Sequence, residues 1–135
     1  MLQILRIAAK HFPEVELIET HVPTKADAPS GTTMNTAREI AMVRRDPSTS
    51  ASREVVPGAR GGEISGVRVH SLRLSGPAGI EEARFARPGE YLTVSLTAFD
   101  RAPFAIGALL AIKQVASRPG LTYGLTPLLD LSSSA

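Results

Sequence analysis

Residues 14–33 read EVELIETHVPTKADAPSGTT, and the course of the chain through them decides the fold. Val15 and Leu17 alternate with glutamates and run on to Thr20, with Ile18 out of phase. This spacing predicts a strand over 14–21 that enters a loop. Two prolines and an aspartate make 22–29 that loop. Ser30 then stands as the N-cap of a helix over 30–43, whose apolar stripe is Met34, Ala37, Ile40 and Ala41.

Working outward, residues 2–11 read as an amphipathic helix with Leu2, Leu5, Ala8 and Ala9 on one face, ended by Pro13. It opens with no cap residue, which leads us to expect a segment upstream of it. After the second helix, residues 46–66 form a long excursion rich in Ser, Pro and Gly. Strands are predicted over 67–74, 80–85 and 91–99, with turns at GPAG (76–79) and RPGE (87–90). The stretch YLTVSLTAF alternates Leu92, Val94, Leu96 and Ala98 with Thr93, Ser95 and Thr97. Asp100 is expected to cap a further helix with Pro103 in its first turn, burying Phe104, Leu109, Ile112, Val115 and Ala116. The expected fold is α/β (α+β): a mixed, mostly antiparallel sheet of about four strands, helices on one face and a long loop. One domain is expected over 1–131, with 132–135 a frayed tail.

The bulk numbers exclude several classes of function. With 43% hydrophobic and 21% charged residues over 135 positions, the composition is that of one ordinary globular domain. Fifteen Lys and Arg stand against 13 Asp and Glu, a net charge of +2, so the pI of about 9.4 reflects no basic patch. Aromatics are 4%, too few for base stacking, and no nucleic-acid partner is expected. The absence of cysteine excludes disulfides and thiolate metal sites, and no metal site is expected. No apolar run has the ~18 residues of a membrane helix, and a cytoplasmic location is expected.

The loop carries the chemistry. At Ser30-Gly31-Thr32 the first backbone N–H groups of a helix lack internal partners and carry the positive end of its dipole. Gly31 lets an anion approach the backbone and Thr32 adds a hydroxyl. An ordinary cap with nothing bound is the plain alternative. Four residues apart, His21 offers a proton near neutral pH and Lys25 a point charge for a second anionic group. Each alone reads as polar surface. Together with the helix start they suit a small dicarboxylate.

ETHVPTKADAPSGTT resembles the signature of the 4-hydroxy-tetrahydrodipicolinate (dihydrodipicolinate) reductases of bacterial lysine biosynthesis, roughly E-x-H-H-x-x-K-x-D-A-P-S-G-T. HFPEVELIE, PGARGGEISGVRVHSLRLSG, DRAPFAIGALLA and RPGLTYGLTPLLDL look like further parts of that family's substrate domain, in the same order. The resemblance implies an oxidoreductase in which an N-terminal Rossmann domain binds NADPH or NADH, and the C-terminal domain binds substrate and builds a homotetramer through its sheet and long loop. Hydride passes to a cyclic imine-type substrate while a histidine protonates the adjacent carbon. By motif, His21 matches the proton donor, Lys25 the catalytic substrate-binding lysine, and Ser30, Gly31 and Thr32 the carboxylate cradle. Arg101 and Phe104 match an R-x-x-F near the cofactor; their plain alternatives are a solvated first-turn residue and a core residue.

The chain departs from that pattern. Val22 replaces the second histidine of the pair, Ile80 and Glu81 stand where the family has His-Gln, and LTVSLTA (92–98) lacks the polar cluster of L-T-I-x-H-x-S. No glycine-rich strand–turn–helix for a dinucleotide occurs; GARGG (58–62) follows no apolar strand and precedes no helix. The expectation is the substrate-binding half of such a reductase, inactive without a Rossmann domain supplied separately. The alternative is a non-catalytic oligomerisation or dicarboxylate-sensing module of the same fold.

Overall fold

A computed structural model describes residues 1–45 and 53–129. The first part of the expected 46–66 excursion and the expected tail fall outside the described residues. The chain divides into two compact units, Met1–Phe99 and Asp100–Ala135.

The first unit contains helix α1 (Leu2–Ala8), strand β1 (Glu14–His21), helix α2 (Gly31–Val43), and strands β2 (Gly62–Ile64), β3 (Val67–Arg73), β4 (Gly79–Arg87) and β5 (Glu90–Ala98). The sheet order is β2-β3-β1-β4-β5. β1 pairs parallel with β3 and antiparallel with β4, and the other pairings are antiparallel. The sheet is therefore mixed and mostly antiparallel, with five strands rather than about four. The additional strand, β2, lies inside the Gly-rich excursion, where three residues are too few to show a period of two. It is held by a close approach. Gly61 has φ of 70°, and a Cβ there would stand 2.4 Å from the Val69 carbonyl oxygen, so only glycine fits.

Alternation along β1 sets the core. Val15, Leu17 and Glu19 are buried on one face; the third inward position is a carboxylate rather than the threonine beside it. α1 and α2 lie on this side, and Leu5, Ala8, Ala9, Ala37 and Ile40 pack with Val15, Leu17, Val67, Val69, Ala83 and Phe85. α2 starts at Gly31 behind its Ser30 cap, as expected, but buries Thr33, Thr36, Ala37 and Ile40. That is the expected helical spacing begun one residue earlier, so two hydroxyls and not Met34 face the sheet. α1 is shorter than the expected 2–11, because its last residues turn toward Pro13.

In the second unit, helix α3 spans Ala102–Val115, with Arg101 at its N-cap and a 3₁₀ turn over Thr126–Leu128. Asp100 stands one residue ahead of the N-cap position, and its Oδ1 accepts from the first N–H of the helix, that of Ala102, at 2.7 Å. The expected core positions Phe104, Leu109, Ile112, Val115 and Ala116 are all exposed. Among the described residues of this unit, the short turn segment returns along α3. It lies over Gly107, where a Cβ would meet Leu125 Cδ1 at 2.7 Å, and accepts from Gln114 Nε2 at the Leu128 carbonyl, 3.2 Å away.

Phe85 is fully buried and its ring centroid lies 6.0 Å from that of Phe12. Phe85→Ala is expected to lower the unfolding free energy of the first unit by about 3–5 kcal/mol, read from the midpoint of urea unfolding at an unchanged slope.

Candidate functional site

Period two along β1 places His21 on the same side as Leu17 and Glu19, at the strand's C-terminal end. Its Nδ1 donates to the Ala78 carbonyl at 3.2 Å. A carbonyl only accepts, so this contact puts the ring proton on Nδ1 and leaves Nε2 as the exchangeable nitrogen. Nε2 stands 3.4 Å from Glu19 Oε2. The ring is held closely by Gly79, where a Cβ would come within 3.0 Å of Cε1.

Lys25 follows a turn in which its own N–H bonds the Val22 carbonyl at 3.1 Å. Its Nζ donates to Asp27 Oδ1 at 2.6 Å, and that bond holds the Asp27 carboxyl below the usual carboxylate range. The Arg73 guanidinium, at the end of β3, braces the loop from beneath. Nε donates to the Lys25 carbonyl at 3.3 Å, and Nη2 donates to the Asp27 carbonyl and to Glu19 Oε1, the latter at 2.9 Å.

Ser30 is buried and faces inward. Its N–H donates to Glu19 Oε2 at 3.0 Å, and its Oγ accepts from the Thr33 N–H at 3.2 Å. The Thr33 hydroxyl donates to the same Glu19 oxygen, also at 3.2 Å. Gly31 and Thr32, by contrast, are exposed at the first turn of α2.

Two glutamates thus dominate the polar end of this face, and Glu19 and Glu81 are direct partners across β1 and β4. Burial pushes the Glu19 carboxyl upward, but hydrogen bonds from Ser30, Ser71 and Arg73 outweigh it and lower the value to about 2. Glu81 has less help. Burial pushes it up, a Thr36 hydroxyl pulls it partly back, the Glu19 charge adds to the rise, and the net direction is upward. Its Oε1 is buried with no hydrogen-bond partner among the described residues.

His21, Lys25, Ser30, Gly31 and Thr32 therefore meet around one strand end and one helix start. Arg101 and Phe104 stand in the second unit at the start of α3, where both are exposed. Of GARGG, residues 58–60 lie in a turn, Gly61 packs against Val69 and Gly62 opens β2, so this stretch serves the sheet. No group of three or more His, Cys, Asp or Glu that could hold a metal occurs among the described residues. Glu19, Arg73, Thr33 and Thr36 escaped the sequence reading, although Glu19 and Arg73 continue the inward alternation of Val15-Leu17 and Val67-Val69; Glu81 enters that reading only as a departure from the family pattern.

A mixed five-stranded sheet with two helices on one face carries this strand–loop–helix, the architecture of the C-terminal domain of dihydrodipicolinate reductases. The family model described as dihydrodipicolinate reductase, C-terminus, matches residues 1–129, and the chain belongs to that family. It is 50% identical over 126 residues to the 4-hydroxy-tetrahydrodipicolinate reductase of Mycolicibacterium vanbaalenii, covering 92% of this chain and 51% of that protein. The enzyme of the same name from Beutenbergia cavernae is 48% identical over 128 residues, covering 92% and 52%. Among solved structures, dipicolinate-bound dihydrodipicolinate reductase from Paenisporosarcina sp. TG-14 superposes with a TM-score of 0.85 at 36% identity, covering 95% of this chain and 49% of that one. The chain spans about half the length of these relatives.

The raised Glu81 carboxyl has a signed consequence. The folded state holds that proton beyond the ordinary carboxylate value of 4.5, so ionisation of Glu81 costs stability as pH rises from 4.5 through the raised value. Glu81→Gln keeps the neutral shape. Its stability relative to the parent is expected to increase as pH rises from 4.5 and to level off once the raised value is passed, in urea unfolding; a gap independent of pH would contradict the assignment.

Proposed function

We propose that this chain is the substrate-binding and catalytic half of a 4-hydroxy-tetrahydrodipicolinate reductase, acting in lysine and diaminopimelate biosynthesis. The observation that carries the reading is the strand end and helix start that bring His21, Lys25, Gly31 and Thr32 together, in a fold shared with a dipicolinate-bound relative. The substrate is a small cyclic dicarboxylate. One carboxylate takes the backbone N–H groups of Gly31 and Thr32 and the Thr32 hydroxyl at the positive end of α2. Ser30 shapes that cradle from inside. The other carboxylate draws Lys25 away from Asp27, an exchange made easy by the exposure of that pair. His21, anchored through Nδ1, gives a proton from Nε2 to the substrate carbon beside the site of reduction. NADPH or NADH supplies the hydride, held by a Rossmann domain outside these residues, with Arg101 and Phe104 on the cofactor side. A cytoplasmic location accords with this reading.

Val22 and Ile80 favour the second reading, a dicarboxylate-sensing or oligomerisation module that binds without turnover. Both readings require the ligand site. Calorimetric titration with pyridine-2,6-dicarboxylate, a planar mimic, is expected to show binding that weakens at least about tenfold, or about 1.4 kcal/mol, in Lys25→Ala. Equal affinities in parent and variant would overturn the site. Mixing the chain with a matching Rossmann domain and NAD(P)H then separates the readings, since turnover appears only under the first.

We also infer a homotetramer built through the sheet face opposite the helices. That face presents Tyr91, Thr93, Ser95 and Thr97 of β5 and, three strands across, the exposed Leu72 of β3, a surface open to isologous pairing. Light scattering at micromolar concentration is expected to give the mass of four chains, and a monomer would contradict it.

A further inference from the structure

Glu19 occupies a place that the rest of its stripe gives to apolar residues. Val15 and Leu17 precede it on the same face of β1, and all three are buried, Glu19 to 0% exposure. A carboxylate there is costly unless its lone pairs are filled. They are filled by donors from two separate segments. The Ser30 N–H and the Thr33 hydroxyl come from the start of α2, and Ser71 and Arg73 from β3; His21 Nε2, on β1 itself, stands 3.4 Å from Oε2. Those are the segments that carry the dicarboxylate site. The same Arg73 guanidinium that Glu19 orients also donates to the backbone carbonyls of Lys25 and Asp27. Across the sheet the only ionisable side chain facing Glu19 from β4 is Glu81.

We propose that Glu19 is the positioning residue of the site: through Arg73 it sets the Lys25 loop, and through the Ser30 N–H it sets the start of α2. Glu19 touches no ligand. It acts by fixing the distance between the Lys25 ammonium and the Gly31–Thr32 backbone, which is the distance between the two carboxylates of the ligand. The inference rests on the dicarboxylate reading proposed above, and adds to it a residue for which an uncharged isostere is not equivalent.

Glu19→Gln retains the size and one acceptor oxygen, and loses the charge that orients Arg73. Titration with pyridine-2,6-dicarboxylate is expected to show an affinity at least tenfold weaker for Glu19→Gln. In the Lys25→Ala background the same substitution is expected to change affinity by less than threefold, because its effect passes through Lys25. Equal, additive losses in both backgrounds would mean a general structural role and would overturn the proposal. Arg73→Lys is the second variant. It leaves Glu19 and its other donors in place but lacks the fork that reaches both loop carbonyls, and is expected to lose affinity at least tenfold; parent-like binding would overturn the proposal. Amide exchange supplies a readout free of ligand. Peptides covering 22–33 are expected to exchange at least tenfold faster in Glu19→Gln while those of β4 and β5 stay unchanged, and unchanged exchange in 22–33 counts against the role. If the parent chain binds no dicarboxylate, the proposed function fails, and the exchange comparison alone decides whether Glu19 holds the loop.

Discussion

Strand β1 is hydrogen-bonded along both edges, parallel to β3 on one side and antiparallel to β4 on the other, and this double pairing governs the first unit. A strand pinned on both sides cannot slip by one residue without turning its whole inward set outward. Residues 15, 17, 19 and 21 therefore face the helices together. The parallel neighbour imposes a second constraint, because the chain must cross back before β3 can be laid down. α2 begins that crossover directly after β1, so its N-terminus comes to rest over the C-terminal end of the same strand. The site stands where a fixed alternation meets a fixed crossover.

The inward stripe changes character along its length. Its first half is apolar and closes the core with Phe85, Val67 and Val69. Its second half holds two carboxyls on neighbouring strands, about 5 Å apart at their Cβ atoms by the geometry of such pairs. Two buried like charges at that separation are unfavourable. The surroundings resolve the conflict by giving the donors to one member. Glu19 receives Ser30, Thr33, Ser71 and Arg73, while Glu81 has the Thr36 hydroxyl and one oxygen without a partner. One carboxyl is held ionised and the other is pushed toward its neutral form, by environment rather than by residue type. The two threonines in the buried stripe of α2 follow from this, since a helix lying over carboxyls must offer hydroxyls where it would otherwise offer Met34.

Most of the architecture was legible where the pattern ran long enough. β1, β5 and α2 each show several turns of their period, and the Ser30 cap and the Pro88-Gly89 turn carry side-chain signals of their own. The misses have physical causes. β2 is three residues beside glycines and shows no period. Glu19 and Arg73 sit in phase with buried valines and leucine, but charge in an inward position reads as the end of a strand until its partners are known, and those partners lie 11 and 54 residues away. α3 has an apolar composition that reads as core, yet burial depends on what covers a helix, and none of its side chains is buried. His21, Lys25 and the helix start stand out in the sequence because all of them fall within a dozen residues.

The capping arrangement at α2 also determines how wide an anion site can be. A helix start leaves four N–H groups without helical acceptors. Here the Ser30 N–H goes to Glu19, the Thr33 N–H goes to the Ser30 hydroxyl, and the Met34 N–H takes the first helical bond to the Ser30 carbonyl. Among the described residues this leaves the N–H groups of Gly31 and Thr32 open, adjacent in sequence and joined by one hydroxyl. Two neighbouring donors match the two oxygens of a single carboxylate and would under-coordinate a phosphate, which presents three or more. By drawing Ser30 inward, Glu19 leaves at the helix start the number of donors that one carboxylate takes, in keeping with the proposed dicarboxylate reading, in which Lys25 meets the second carboxylate.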